Sequence, residues 1–236
     1  MPSLEDLLII IPARGGSKGI LRKNIRPLAG HPLIEWSFRS IREAGMDSAK
    51  CLLSTDDEEI ADVGRHIGID VPFLRSPAAA SDTATLPDVA FDVIERLPAQ
   101  RLVYCLMVLP THPFRLPALM RRAYDRFDDP AVDGVMAVRD IHRSLGTLFY
   151  EIDKNSLTPI GTPVAAERRQ DVRPIYTPSG CFFYARIDAL YEQKTFYTRN
   201  VFPIATGHID STDLDSEEEW KVADAVARSN LSWWKM

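Results

Sequence analysis

An α/β fold on a mostly parallel sheet is what this sequence predicts, and three observations predict it. Short apolar runs at 7–12, 50–54, 71–74 and 102–109 alternate with segments of helical period at 33–44, 58–67, 86–97 and 116–127, the rhythm of βαβ units. The first run, Leu7 to Pro12, opens into ARGGSKGILRKN, where four cations and three glycines fall within twelve residues. That places a cationic loop after a buried strand, where open α/β sheets bind their ligands. At 236 residues and 45% hydrophobic, the chain can bury one large core without staples, and no second domain is required.

The elements follow in order. The Leu7–Ile11 run is too short to span a bilayer, and Glu5 and Asp6 stand where a signal peptide carries positive charge, so a cytoplasmic protein is expected. Thr55 and Asp56, ahead of Asp57, Glu58 and Glu59, read as an N-cap with an acidic first turn. Pro113 and Pro117 bracket the start of the 116–127 helix, and Asp133-Gly134 precedes the strand VMAV. From about Arg139 to Pro178 the rhythm breaks into β-prone pieces (LFYEI, VRPIY), polar turns and the charge cluster ERRQD, which reads as an insertion or arm packed on the body or on another subunit. CFFYARI, a short strand near 201–205 and a helix from about 216 to 228 complete the pattern. Trp233, Trp234 and Met236 offer an apolar tail that could dock on a neighbouring subunit.

Lys and Arg total 28 against 33 Asp and Glu, a net charge of −5, which argues against a nucleic-acid or membrane partner. Positive charge is local, around 14–26 and 168–173. Cys51, Cys105 and Cys181 are odd in number, far apart and apolar-flanked, as buried thiols in a reducing compartment are. His31, His66, His112, His142 and His208 show no metal spacing and read as surface or structural positions.

Five segments carry candidate chemistry. Gly15, Gly16 and Gly19 predict a turn with positive φ that brings backbone N–H groups to an anion, with Arg14, Lys18, Arg22 and Lys23 supplying charge. A basic surface loop would share that charge. There is no GxxxxGK followed by Ser or Thr and no GxGxxG, so neither a P-loop nor a dinucleotide loop fits. In SDTATLPD, Ser81, Thr83 and Thr85 offer hydroxyls near a helix start, with Ser81-Asp82-Thr83 the first choice for a cap. LPTHPFR sets Thr111 and Arg115 at a strand's carboxyl end, where a ligand contact or a plain turn into a helix would look alike. In ERRQD, Arg168 and Arg169 could grip a carboxylate or lie on the surface. In IDSTDLDSEEEW, Asp213 and Asp215 sit at i and i+2 of an extended segment, so their carboxylates point one way. Two hard oxygen donors suit Mg²⁺ with water and substrate phosphate; helix capping by Asp215 is compatible with that role. The loop and the carboxylate pair make sense as one site, which requires opposite ends of the polypeptide, Lys18 and the Asp213/Asp215 couplet, to meet.

In order over nearly the whole chain, IPARGGSKGILRKN, STDD, LPTHPFR, RRQD with its following Ser-Gly turn, and DLDSEEEW resemble the acylneuraminate cytidylyltransferases, also called CMP-sialic acid synthetases. The first motif is highly specific, and the RRQ and DxD elements moderately so. The resemblance implies a Rossmann-like nucleotidyltransferase fold with helices on both faces. It also implies one cytidylyltransferase domain over 1–236 with an inserted dimerisation arm at about 139–178, CTP as nucleotide, Mg²⁺ as cofactor, and a homodimer whose arm reaches the partner's sugar site. The implied reaction activates a sialic-acid-like 3-deoxy-2-ulosonic acid with CTP to give a CMP-sugar and pyrophosphate, in a pathway such as lipopolysaccharide or capsule synthesis. A regulatory homologue without transferase activity and an enzyme for a shorter Kdo-type acid are the alternatives.

Carried over by position, Arg14, Gly15, Gly16, Ser17, Lys18 and Asn24 hold CTP, with Arg14 and Lys18 on its phosphates, and Arg75 and Thr85 fall on the nucleotide. Leu109, Thr111, Arg168, Arg169 and Gln170 surround the sugar acid. Asp213 and Asp215 match the metal ligands, and Arg14, Lys18 and Asp213 are the catalytic set. Three departures concern the sugar: Leu109 stands where an amide is usual, His112 replaces a serine, and Ser179-Gly180 replaces Asn-Gly. Exchanging a polar for an apolar group in a sugar pocket shifts discrimination.

Overall fold

The computed structural model describes residues 2–16, 19–98, 101–141, 150–153, 156–159 and 175–229. In chain order the elements are β1 (Leu7–Pro12), β2 (Pro27–Leu28), β3 (His31–Pro32), α1 (Leu33–Glu43), β4 (Lys50–Ser54), α2 (Glu58–His66), α3 (Pro77–Ala80), α4 (Leu86–Arg96), β5 (Tyr104–Met107), α5 (Pro117–Tyr124), β6 (Gly134–Asp140), β7 (Tyr150–Asp153), β8 (Ser156–Pro159), β9 (Tyr176–Arg186), α6 (Ile187–Gln193), β10 (Val201–Thr206) and α7 (Glu217–Arg228).

Six strands form one sheet in the order β10-β6-β9-β5-β1-β4. β1 runs parallel to β4 and β5, and β10 to β6, while β9 runs antiparallel to both of its neighbours. The reversal follows from connectivity. Asp140 at the end of β6 pairs with Tyr176 at the start of β9, so the chain returns where it left, as in a hairpin. Alternation along β1 explains its unbroken apolar run. Leu7, Ile9 and Ile11 enter one core cluster with α1, α2 and α5, whereas Leu8 and Ile10 enter a second with α4 and α6. A strand covered on both faces has no polar side.

A third cluster joins Ile20 and Leu28, from the segment after the cationic loop, to Leu214 and Trp220 near and on α7. Arg26 stacks over the Trp220 ring at 4.6 Å and pairs with Glu217 at 2.5 Å, and the Ala29 N–H donates to Asp224 at 2.8 Å. These contacts bring the two ends of the described chain together.

Several expectations need correction. Residues 71–74 form no strand: the ladder beside β4 stops after the single Leu52–Asp70 bridge, and Pro72, without an N–H, does not extend it. The α2 cap is Asp57, which accepts from the Ile60 N–H at 3.1 Å, while Thr55 Oγ1 accepts from the Asp57 N–H. The 116–127 helix ends at Tyr124 and tightens into a 3₁₀ turn over Asp125–Asp128. Ser216, not Asp215, caps α7, in a reciprocal box with Glu219. Cys105 and Cys181 are buried and free, and burial pushes the Cys51 thiol up to about 12.

Arg115 is the largest correction. It is a fastening, not a ligand contact, and it lies buried between β9, α1 and the turn after β5. Its Nε donates to the Cys181 carbonyl at 3.2 Å, Nη1 to the Ser37 hydroxyl at 3.0 Å and the Ser40 hydroxyl at 3.4 Å, and Nη2 to the Leu109 carbonyl. Burial lowers its pKa to about 10. Arg115→Met removes the donors and leaves these acceptors in place, so it is expected to cost about 2 kcal/mol of stability. Calorimetry should read this as a melting temperature lower by about 4–8 °C.

Candidate active site

A cleft of about 470 Å³ opens at the carboxyl ends of β1 and β5, between Pro12 on one strand and Leu109–Thr111 beyond the other. Of the residues expected in a site, it gathers Arg14, Asn24, Arg75 and Thr85 with Leu109, Thr111 and Asp215. Lys23, another of the expected cations, lines it as well, and Asp82 is new. Gly15, Gly16 and Asp213 are not in the lining. Ser17 and Lys18, and Arg168, Arg169 and Gln170, lie outside the described residues, as do His142 and the tail aromatics.

The glycines of the loop act differently from expectation. None of Gly15, Gly16 and Gly19 has positive φ; the left-handed residue here is Arg22, at φ 53°. Gly15 and Gly19 serve close approach instead. A Cβ on Gly15 would sit 2.6 Å from Asp57 Oδ2, and one on Gly19 would run into the Asp215 backbone carbonyl. The Gly15 N–H is already spent on Asp56 Oδ1 at 2.9 Å. Asn24, buried, donates from Nδ2 to the Arg14 carbonyl at 2.9 Å and so pins the loop's first residues.

The cations divide. Arg22 turns away from the cleft to Asp57, at 2.5 Å, and Glu59, correcting its expected phosphate role. The guanidinium holds the Asp57 carboxyl below its ordinary value, against the desolvation that opposes it. Arg14 faces Asp82 across the cleft at 3.0 Å. Lys23 donates from Nζ to the Leu214 carbonyl at 2.7 Å and to Asp215 Oδ1 at 3.0 Å. Its side chain is 12% exposed against 72% for Asp215, so the contact joins a sheltered cation to an open carboxylate. The cationic loop thus meets Asp215 through Lys23, while the Lys18 of the expectation lies outside the described residues.

On the far wall, Arg75 is buried on the end of β4, donating from Nε to the Ser54 hydroxyl at 3.0 Å and from Nη2 to the Ser54 carbonyl at 2.6 Å. Burial lowers its pKa, and Asp56 and Asp92 oppose that shift. Thr85, not Ser81-Asp82-Thr83, caps α4 and exchanges hydrogen bonds with Asp88. These bonds hold the Asp88 carboxyl below its ordinary value.

Beyond β5, the Thr111 hydroxyl lies 3.0 Å from His112 Nδ1. His112 is 1% exposed, its Nε2 and the nearby Ser179 hydroxyl have no hydrogen-bond partner among the described residues, and Asp213 Oδ1 stands 3.8 Å from Nδ1. Burial pushes the imidazole down to about 4 against the pull of Asp213, so the ring is neutral at pH 7. Gly180, at φ 80°, leaves room for it: a Cβ there would fall 2.5 Å from His112 Cε1. Asp213 and Asp215 are exposed on either side of buried Leu214, the alternation expected of an extended DLD, and the Leu214 N–H donates to the Thr111 carbonyl at 3.0 Å.

Converging cations, a carboxylate and a strand-end location suit a polyanionic ligand, and comparison with known proteins agrees. The fold has a TM-score of 0.69 to the structure of CMP:2-keto-3-deoxy-manno-octonic acid synthetase complexed with CTP, at 16% identity over 94% of this chain and 98% of that one, a likeness of fold alone. The sequence is 30% identical to CMP-N,N'-diacetyllegionaminic acid synthase of Legionella pneumophila over 95% of this chain and 97% of that protein. It is 29% identical to pseudaminic acid cytidylyltransferase of Campylobacter jejuni over 94% and 97%. The cytidylyltransferase family model matches residues 8–128, the stretch that supplies the loop, Arg75, Thr85 and Thr111, and with it the chain belongs to the cytidylyltransferase family.

Proposed function

We propose that the chain transfers the CMP unit of CTP to the anomeric hydroxyl of a sialic-acid-like 3-deoxy-2-ulosonic acid, releasing pyrophosphate. The observation that carries this reading is the Lys23–Asp215 contact in the wall of a cleft that also holds Arg14 and Arg75. The legionaminic and pseudaminic names of the relatives support the sugar class.

In this reading the hydroxyl attacks the α-phosphorus in line with the leaving pyrophosphate. Arg14 exchanges Asp82 for phosphate oxygens, and with Lys23 it neutralises charge that grows on them. Lys18 joins them by its position in the motif. Asn24 keeps Arg14 in place through its carbonyl. His112 lies behind Thr111 and is not in the cleft lining, so it is given no part in moving the anomeric proton. Asp213 and Asp215 are exposed hard oxygen donors flanking the buried Leu214, a residue chemistry that suits Mg²⁺. Such an ion, when bound, would neutralise and orient the phosphates. Arg168, Arg169 and Gln170 are proposed to hold the sugar acid's carboxylate side. A homodimer through the 139–178 arm completes the proposal, in a cytoplasmic setting that the free thiols suit. Light scattering of the purified chain tests that assembly.

The function is tested by pyrophosphate release from CTP with Mg²⁺ and a panel of ulosonic acids. Release with at least one nine-carbon acid, and none with ATP, GTP or UTP in place of CTP, is expected. Measurable CTP binding with no release across the whole panel would instead make the chain a nucleotide-binding homologue.

A further inference from the structure

Part of the cleft wall is apolar. Leu109 lines it after β5, and Leu86 and Val89 line it from α4, three residues apart and therefore on one helix face. All three pack in the same apolar cluster. Two backbone groups beside them are accounted for. Pro110 has no N–H, and the Leu109 carbonyl already accepts from Arg115. Thr111 is the hydroxyl next in sequence, and it is engaged with His112. The Leu214–Thr111 backbone bond sets this segment beside Asp215.

We propose that the Leu86, Val89 and Leu109 patch selects a sugar acid carrying a methyl or methylene carbon where a hydroxylated carbon would otherwise face Leu109. The inference rests on the function proposed above. A hydroxyl pressed onto this patch gives up its water and gains no partner from the three side chains. A deoxygenated carbon loses nothing and buries apolar surface. Pockets of this kind discriminate against an added hydroxyl by about 10–100-fold.

The test uses the purified full chain with saturating CTP and Mg²⁺, and pairs of ulosonic acids that differ by one hydroxyl along the side chain. One deoxygenated acid is expected to exceed its hydroxylated parent at least about 10-fold in kcat/KM, mainly through KM. Leu109→Gln should bring that ratio near one while the KM for CTP stays put. Leu109→Met, of similar volume and polarity, should keep the preference. Leu86→Gln, on the opposite side of the patch, should reduce the ratio too, so a poorly folding Leu109→Gln does not stall the test. Equal ratios in the parent and both Gln variants, or an effect that falls on CTP instead of the sugar, would overturn the inference. No release with any acid would overturn the proposed function itself.

Discussion

Lys23→Met is expected to lower turnover about 10²–10³-fold, the range seen when one preorganised donor to developing charge is removed. Met keeps the length and the apolar stem, so the loss isolates the ammonium. That ammonium lines the cleft and holds the Leu214 carbonyl and the Asp215 carboxylate together. Its removal takes away a positive charge and frees the segment that carries the proposed metal ligands. The Mg²⁺ concentration for half-maximal rate should therefore change with the rate. Lys18→Ala is expected to fall in the same range. Arg22→Met is the comparison: its guanidinium faces Asp57 and Glu59, so activity should stay within a few-fold. Steady-state pyrophosphate release over a Mg²⁺ titration measures all three. If Lys23→Met and Arg22→Met fall equally, the division of labour in the loop is mistaken.

Stability is expected to drop as pH falls from about 6.5 to about 4, because of His112. Its folded value, about 4, lies below the ordinary 6.5, so over that window the unfolded chain takes up a proton that the folded chain refuses. Uptake by the unfolded state favours unfolding, and the contribution is fully present above pH 6.5. That difference is worth about 3 kcal/mol. Urea melts at pH 7, 5.5 and 4.5 should show the decline in the parent chain and a shallower one in His112→Asn, which keeps a polar atom near Nδ1 but does not titrate. Identical slopes in the two proteins would mean the buried imidazole is not the source.

The sheet and most helices were legible because their signals are local. An unbroken run such as Leu7–Ile11 announces a strand covered on both faces, and the periodic segments at 33–44, 58–67 and 86–97 fall within a residue or two of α1, α2 and α4. Direction was not legible. The alternation in CFFYARI is the same whichever way β9 runs, and only its pairing with β6 reverses it. The α6 helix, Ile187–Gln193, spans only 7 residues, too few for a helical period to stand out in the sequence. The α4 cap did have a signal, Thr85-Leu86-Pro87-Asp88 with Pro in the first turn and an acid at N3, and it was passed over for Ser81-Asp82-Thr83. In the site, the residue types were readable and their assignments less so. Arg22 and Lys23 are adjacent and equally charged, and no pattern says that one faces Asp57 and the other Asp215. Glycine spacing suggested a left-handed turn where tertiary crowding by Asp57 and Asp215 was the real demand.

Lys23 precedes Asp215 by 192 positions, which has a consequence during synthesis. At ribosomal speeds of about 5–20 residues per second, the loop waits on the order of 10–40 s for the carboxylate that finishes its wall. Through that interval a growing chain can assemble β1, β4 and β5 and bury much of their apolar surface. It still lacks a completed pocket for a triphosphate. The wall is therefore finished in one late step, when α7 docks on the segment after the loop.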